Sequence, residues 1–185
     1  MSRIKILVVG PQRSGKSTIT NILGELTENI SEHYRPTVAC RIVECERDPP
    51  PAMASFGKIN LEFWDVSGDF KYEKTWGPIQ QDAQGIIFVY DPNVPEGEAL
   101  MNQFVQMFPK AIRLQPKFCM VFVNHHNSGG VFPSVSLPKC MDSLEKHHGT
   151  AEDANGIFQG FEKYLNRLLK LIGEKQRSAE DDIMN

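Results

Sequence analysis

Hydrophobic positions follow two alternating rhythms along the chain. Lys5–Val9 is a short apolar run that suits a buried strand, and it ends at Gly10-Pro11. Ile19, Ile22, Leu23 and Leu26 follow at helical spacing. Val38–Glu46 is β-branched and partly alternating, which predicts a strand, and the proline-rich segment Asp48–Gly57 predicts a loop rather long for a hairpin. Ile59, Leu61 and Phe63 alternate with Asn60 and Glu62, as in a strand with one exposed face. Gly85–Tyr90 and Phe118–Val123 are continuous apolar runs, the pattern of central parallel strands buried on both faces. Between them, residues 97–115 carry Leu100, Phe104, Met107 and Phe108 on a helical stripe interrupted by Pro109. Phe158, Phe161, Leu165, Leu168 and Ile172 mark a final amphipathic helix, and the charged segment 173–185 reads as a flexible tail that frays from it.

Strands that alternate with helices predict an α/β fold: one domain over residues 1–172, a mainly parallel sheet with helices on both faces. Right-handed crossovers would gather the strand-to-helix loops on one edge, where such sheets bind ligands. Residues 128–148 resist this reading. They hold Gly129, Gly130, Pro133, Pro138 and four serines, so the helix expected there is short or missing.

Composition narrows the partners. With 20 Lys+Arg against 23 Asp+Glu, the formal net charge of -3 argues against nucleic acid, whose phosphates demand a cationic excess. No window is long and apolar enough to span a bilayer. Ser2 stands where myristoylation needs glycine, and Asp181–Asn185 holds no prenylation cysteine, so no direct membrane anchor is expected. Cys40, Cys45, Cys119 and Cys140 lack metal-site spacing and read as free thiols in a reducing cytoplasm. The adjacent pairs His125-His126 and His147-His148 have diverging side chains, and neither is assigned a metal.

The strongest chemical signal is Gly10-Pro-Gln-Arg-Ser-Gly15-Lys16-Ser17, which fits the phosphate-binding loop G-x-x-x-x-G-K-[ST]. At average composition a chance match anywhere in this chain is under about 1%, and here a strand runs in and a helix runs out. The glycines let backbone N–H groups approach phosphates, and the helix N-terminus adds partial positive charge. Lys16 would reach the β- and γ-phosphates, and the Ser17 hydroxyl would coordinate Mg²⁺.

From Trp64-Asp65-Val66-Ser67-Gly68 onward the chain resembles the Ras-like small GTPases, most closely the Rab branch: the stretch from Trp64 to Tyr90-Asp91 matches one that begins WDxxG and ends VYD. The resemblance implies a P-loop small G domain with six strands in its sheet, and GTP or GDP with Mg²⁺ in a cradle of Gly10, Gln12, Arg13, Ser14, Gly15, Lys16, Ser17 and Thr18. Thr37 would close the first switch, Gly68 would open the second, and Asn124, His125, Asn127, Thr150, Ala151 and Glu152 would surround the base. The metal would sit on Ser17 and Thr37, with Asp65 acting through water.

The departures matter as much. Asn124-His125-His126-Asn127 stands in place of N-K-x-D, and Asn127 offers guanine one acceptor oxygen instead of two. Glu152 replaces the lysine of the third base element. Asp69 stands where the family keeps the glutamine that orients the attacking water, and Gln12 fills a place usually kept small, so no catalytic residue is assigned and hydrolysis is expected to be weak or absent. These losses, with the unlipidated C-terminus, resemble the atypical Rab-like group of intraflagellar transport complex B. That resemblance implies a protein scaffold as partner, coiled-coil subunits of that complex, and a place in the cytoplasm, the cilium or flagellum and the basal body. An active GTPase switch in vesicle or ciliary trafficking is the alternative. A small P-loop kinase would need an arginine-rich lid, which is not evident, and a ligand-free relic is disfavoured by intact Lys16, Ser17, Thr37 and Asp65. Phe70, Tyr72 and Trp76 crowd the second switch, where packing onto the sheet is expected for at least one of them and Phe70 or Trp76 is a candidate partner contact.

Overall fold

The computed structural model describes residues 2–26, 35–125 and 136–184. Six strands form one sheet: β1 (Ser2–Val9), β2 (Cys40–Arg47), β3 (Ile59–Val66), β4 (Gly85–Tyr90), β5 (Cys119–Asn124) and β6 (Glu145–Gly149), in the order β2-β3-β1-β4-β5-β6. All neighbours are parallel except β2 and β3, which pair antiparallel. The helices are α1 (Lys16–Leu23), α2 (Glu73–Gln80), α3 (Gly97–Ala111) and α4 (Ala154–Met184). Because side chains alternate across a strand, β1 sends Ile4, Ile6 and Val8 into the layer with α1 and α4, and Leu7 and Val9 into the layer with α2 and α3. The two layers are the two halves of the core.

Four expectations from the sequence need correction. β3 is not half-exposed, since Glu62 is buried and forms an ion pair with Arg3 while accepting the Trp64 Nε1–H at 3.0 Å. A paired carboxylate can take an interior position that an unpaired one cannot. α3 runs through Pro109 and ends at Ala111 rather than 115, where Arg113 turns left-handed with φ 53 and the Leu114 N–H donates to the Pro109 carbonyl at 2.8 Å. The segment after Ile172 is not set apart from the last helix: α4 runs on to Met184, and a Cβ built on Gly173 would fall 3.6 Å from the Phe56 ring. Of residues 128–148, those from 136 on form a short 3₁₀ turn at Lys139–Met141 and the edge strand β6, and the remainder lies outside the described residues.

The β2–β3 connection holds the 3₁₀ turn Pro51–Phe56, whose Met53 and Phe56 pack on the α4 side of the core. Burial pushes the Cys40 and Cys119 thiols up to about 12, so both stay protonated at neutral pH and are free, as the spacing implied.

Candidate nucleotide and metal site

Parallel pairing brings the C-terminal ends of β1, β3, β4, β5 and β6 to one edge of the sheet, and antiparallel β2 starts there. Gly10, Gln12, Arg13, Ser14, Gly15, Lys16, Ser17 and Thr18 form the turn from β1 into α1 on that edge. Gly15 precedes α1 with φ 93, a left-handed conformation, and a Cβ there would fall 2.4 Å from the Asn124 amide nitrogen. Both constraints select glycine. Asn124, fully buried at the end of β5, donates to the Ser14 carbonyl at 3.1 Å and so fixes the loop to the sheet.

Lys16 is buried at the start of α1, its ammonium donating to the Pro11 carbonyl at 2.7 Å. Burial lowers its pKa to about 8, partly countered by the charge of Asp65. The Ser17 and Thr37 hydroxyl oxygens lie 3.0 Å apart. Asp65 is completely buried at the end of β3, and its Oδ1 has no protein partner. Burial raises its pKa, against hydrogen bonding from Ser17 and the positive charges of Lys16 and Arg41. Two hydroxyls in contact beside a carboxylate with an unmet oxygen form an all-oxygen donor set, which suits a hard divalent cation such as Mg²⁺. Among the described residues no group of three or more His, Cys, Asp or Glu side chains could hold a metal.

Gly68 is buried two residues past the end of β3 and lies against the phosphate loop: a Cβ there would fall 2.5 Å from both the Gln12 nitrogen and the Gly10 carbonyl oxygen. Asp69 then caps the 3₁₀ turn Phe70–Tyr72, accepting from the Lys71 N–H at 3.0 Å and pairing with its ammonium at 2.7 Å. Lys71, with a smaller contribution from Gln12, holds the Asp69 carboxyl below the usual carboxylate range.

At the other end of the edge, Asn124, His125, Thr150, Ala151 and Glu152 come together. The His125 backbone N–H donates to the Gly149 carbonyl at 2.8 Å, and the Thr150 hydroxyl accepts from the Glu152 N–H at 3.4 Å. Asn127 lies outside the described residues. His125 Nε2 and His148 Nδ1 are 2.9 Å apart with the rings stacked, a pairing across the β5 and β6 ends that the sequence, read as adjacent histidines, does not suggest. Arg41 is also new. Its place opposite Asp65 follows from strand register, a signal available only once β2 and β3 are aligned.

Trp76 is not a surface contact. It is 2% exposed, with Phe70, Phe104 and Phe108 ring centroids 5.1–5.6 Å away. The exposed apolar residues near the first switch are instead Val38 (71%) and Ile42 (48%). No described helix is long and apolar enough to cross a membrane.

The profile of the family described as Ras of Complex (Roc), domain of DAPkinase, matches residues 5–127. The chain is 33% identical to the intraflagellar transport protein 22 homolog of Homo sapiens over the full length of both. It is 36% identical to intraflagellar transport protein 22 of Chlamydomonas reinhardtii, covering 98% of this chain and 95% of that one. Its fold superposes with a TM-score of 0.72 on a chain of the GTP-bound T. brucei IFT22/74/81 crystal structure, at 24% identity and covering 97% and 99% of the two chains. The P-loop, the strand order and these likenesses converge: the chain belongs to the Roc/Ras-like GTPase domain family, within the group whose members are named intraflagellar transport protein 22.

Proposed function

We propose that this chain is an atypical Rab-like subunit of the intraflagellar transport machinery that holds GTP or GDP with Mg²⁺, turns it over slowly or not at all, and docks on a protein scaffold. The observation that carries the reading is the 3.0 Å approach of the Ser17 and Thr37 hydroxyls beside the buried, unmet Oδ1 of Asp65, at the mouth of a phosphate loop. When bound there, the cation would neutralise phosphate charge. Lys16 adds an ammonium to the same phosphates, and the Gly15–Thr18 backbone at the start of α1 supplies N–H donors. Thr37 and Gly68 would tie both switch segments to the γ-phosphate, so the face they form is ordered by nucleotide.

At the base end, Asn124, His125, Asn127, Thr150, Ala151 and Glu152 would form the pocket. The single acceptor of Asn127 predicts weaker discrimination for guanine than a carboxylate gives. The names of the relatives and the IFT74/81 company of the structural neighbour support coiled-coil subunits of complex B as the scaffold and a ciliary location. The docking face would be residues 33–41 and 68–80, of which 33 and 34 lie outside the described residues.

Nucleotide titration of the purified chain tests the reading. Lys16→Ala should weaken Mg²⁺-dependent GTP or GDP binding at least roughly tenfold, about 1.4 kcal/mol. Equal binding by variant and parent would remove the phosphate-site assignment.

A further inference from the structure

The Asp65 carboxylate already has a cation of its own. Arg41 is its direct cross-strand partner in the β2–β3 ladder. Its Nη2 lies 3.3 Å from Asp65 Oδ2 and 3.3 Å from the Ser17 carbonyl oxygen. The guanidinium therefore bridges the C-terminal end of β3 and the first turn of α1, around the same residues that offer Ser17 Oγ and Asp65 Oδ1 to a metal. The two side chains differ sharply in freedom. Asp65 is 0% exposed and cannot leave, whereas Arg41 is 41% exposed, and both of its contacts are at the long end of hydrogen bonding. A buried carboxylate requires a compensating cation. A partly solvated guanidinium held by two long contacts can supply it and has open solvent into which to withdraw.

We propose that Arg41 is an internal counter-cation for Asp65 that competes with Mg²⁺: it neutralises the carboxylate when no metal is bound and yields to the metal, lowering Mg²⁺ affinity and steadying the metal-free protein. This inference rests on the nucleotide-and-metal reading above and adds a regulator to that site. Two like-signed groups drawn to one carboxylate repel each other in a weakly screened pocket, so binding one raises the cost of the other. When the metal leaves, Arg41 remains beside Asp65 and adds to the charge of nearby Lys16. Here the loss is cushioned, and nucleotide should survive a fall in Mg²⁺ that would otherwise release it.

The test is release of N-methylanthraniloyl-GDP from the full chain across buffered Mg²⁺ concentrations, comparing parent with Arg41→Gln and Arg41→Met, each checked for folding by thermal unfolding. Removing the guanidinium should lower the half-saturating Mg²⁺ concentration at least threefold and speed release in excess chelator by a similar factor. In the parent, the Arg41 side-chain Nε–H resonance should shift as Mg²⁺ saturates, which needs no variant. Curves that superpose on the parent, a half-point that moves upward, or an Arg41 resonance indifferent to Mg²⁺ would each overturn the proposal. So would a loss of thermal stability with no change in Mg²⁺ dependence, since the pair would then be only a strut. If the parent itself holds no labelled nucleotide at any Mg²⁺ concentration, the nucleotide reading fails and takes this inference with it. Mg²⁺-dependent release that the variants leave unchanged sinks this inference alone.

Discussion

Asn124 and Ser14 lie 110 positions apart in the chain and are joined by a single buried hydrogen bond, amide to carbonyl, at 3.1 Å. The bond anchors the middle of the phosphate loop to the end of β5. Asn124→Ala would strip a buried carbonyl of its donor, a loss of about 1–3 kcal/mol. Urea denaturation of the nucleotide-free protein should register that loss, and nucleotide release should quicken as the loop loosens. Unchanged values in both measurements would mean that other contacts hold the loop.

The buried ammonium of Lys16 gives stability a predictable pH dependence. Its pKa falls from 10.5 in the unfolded chain to about 8 in the folded one, so between those values the unfolded chain binds more protons. On this residue's account, stability therefore rises as pH climbs through that window, and the full penalty, about 3 kcal/mol at most, stands below it. Nucleotide-free Lys16→Met should accordingly be more stable than the parent at pH 7, with the advantage shrinking toward pH 10.5. Parallel pH profiles for the two proteins would show that the ammonium is not paying a burial cost.

Trp76 and Val38 separate folding from docking. Trp76→Ala opens a cavity among Phe70, Phe104 and Phe108 and should cost about 3–5 kcal/mol of stability. Val38→Asp lies on an exposed residue and should leave stability within about 0.5 kcal/mol, yet weaken scaffold binding at least tenfold. Calorimetric titration against the purified scaffold, paired with thermal unfolding, reads both. Full scaffold affinity in Val38→Asp would move the docking face elsewhere.

Hydrolysis should be very slow, on the order of 10⁻⁴ s⁻¹ or below, as in a small GTPase without its activator. Asp69, ionised and engaged with Lys71, offers no amide to orient water. Asp69→Gln should raise the single-turnover rate of phosphate release. A parent rate well above that figure, lost in Lys16→Ala, would favour the active-switch alternative.

The sheet was legible where strands are uniformly apolar. β1, β4 and β5 announce themselves because parallel strands covered on both faces must be hydrophobic throughout. β6, Glu145–Gly149, could not be read this way: it is an edge strand, and its Glu145, Lys146, His147 and His148 remain partly solvated. The phosphate loop was legible because its chemistry is local, eight consecutive residues with fixed roles. Arg41 and the His125–His148 contact were not, because each arises only when two strands are set in register. Trp76 misled because an aromatic residue beside a switch serves a core as readily as an interface, and burial alone decides. Asn127, which bears on base choice, lies outside the described residues.

The chain has two tryptophans, and their surroundings make them distinct optical reporters. Trp76 sits in a dry cluster of phenylalanine rings, so its emission should be blue-shifted and should change only when the α2–α3 layer comes apart. Trp64 is half-buried, stacked under the Lys5 ammonium 3.5 Å from its ring centre and adjacent in sequence to Asp65. Its indole faces the α2–α3 layer, on the side of β3 opposite Asp65, and keeps part of its surface in water, so its emission should lie to the red of that of Trp76. Unfolding should bring the two emissions together, so the spectral gap between them reports whether the domain is still folded.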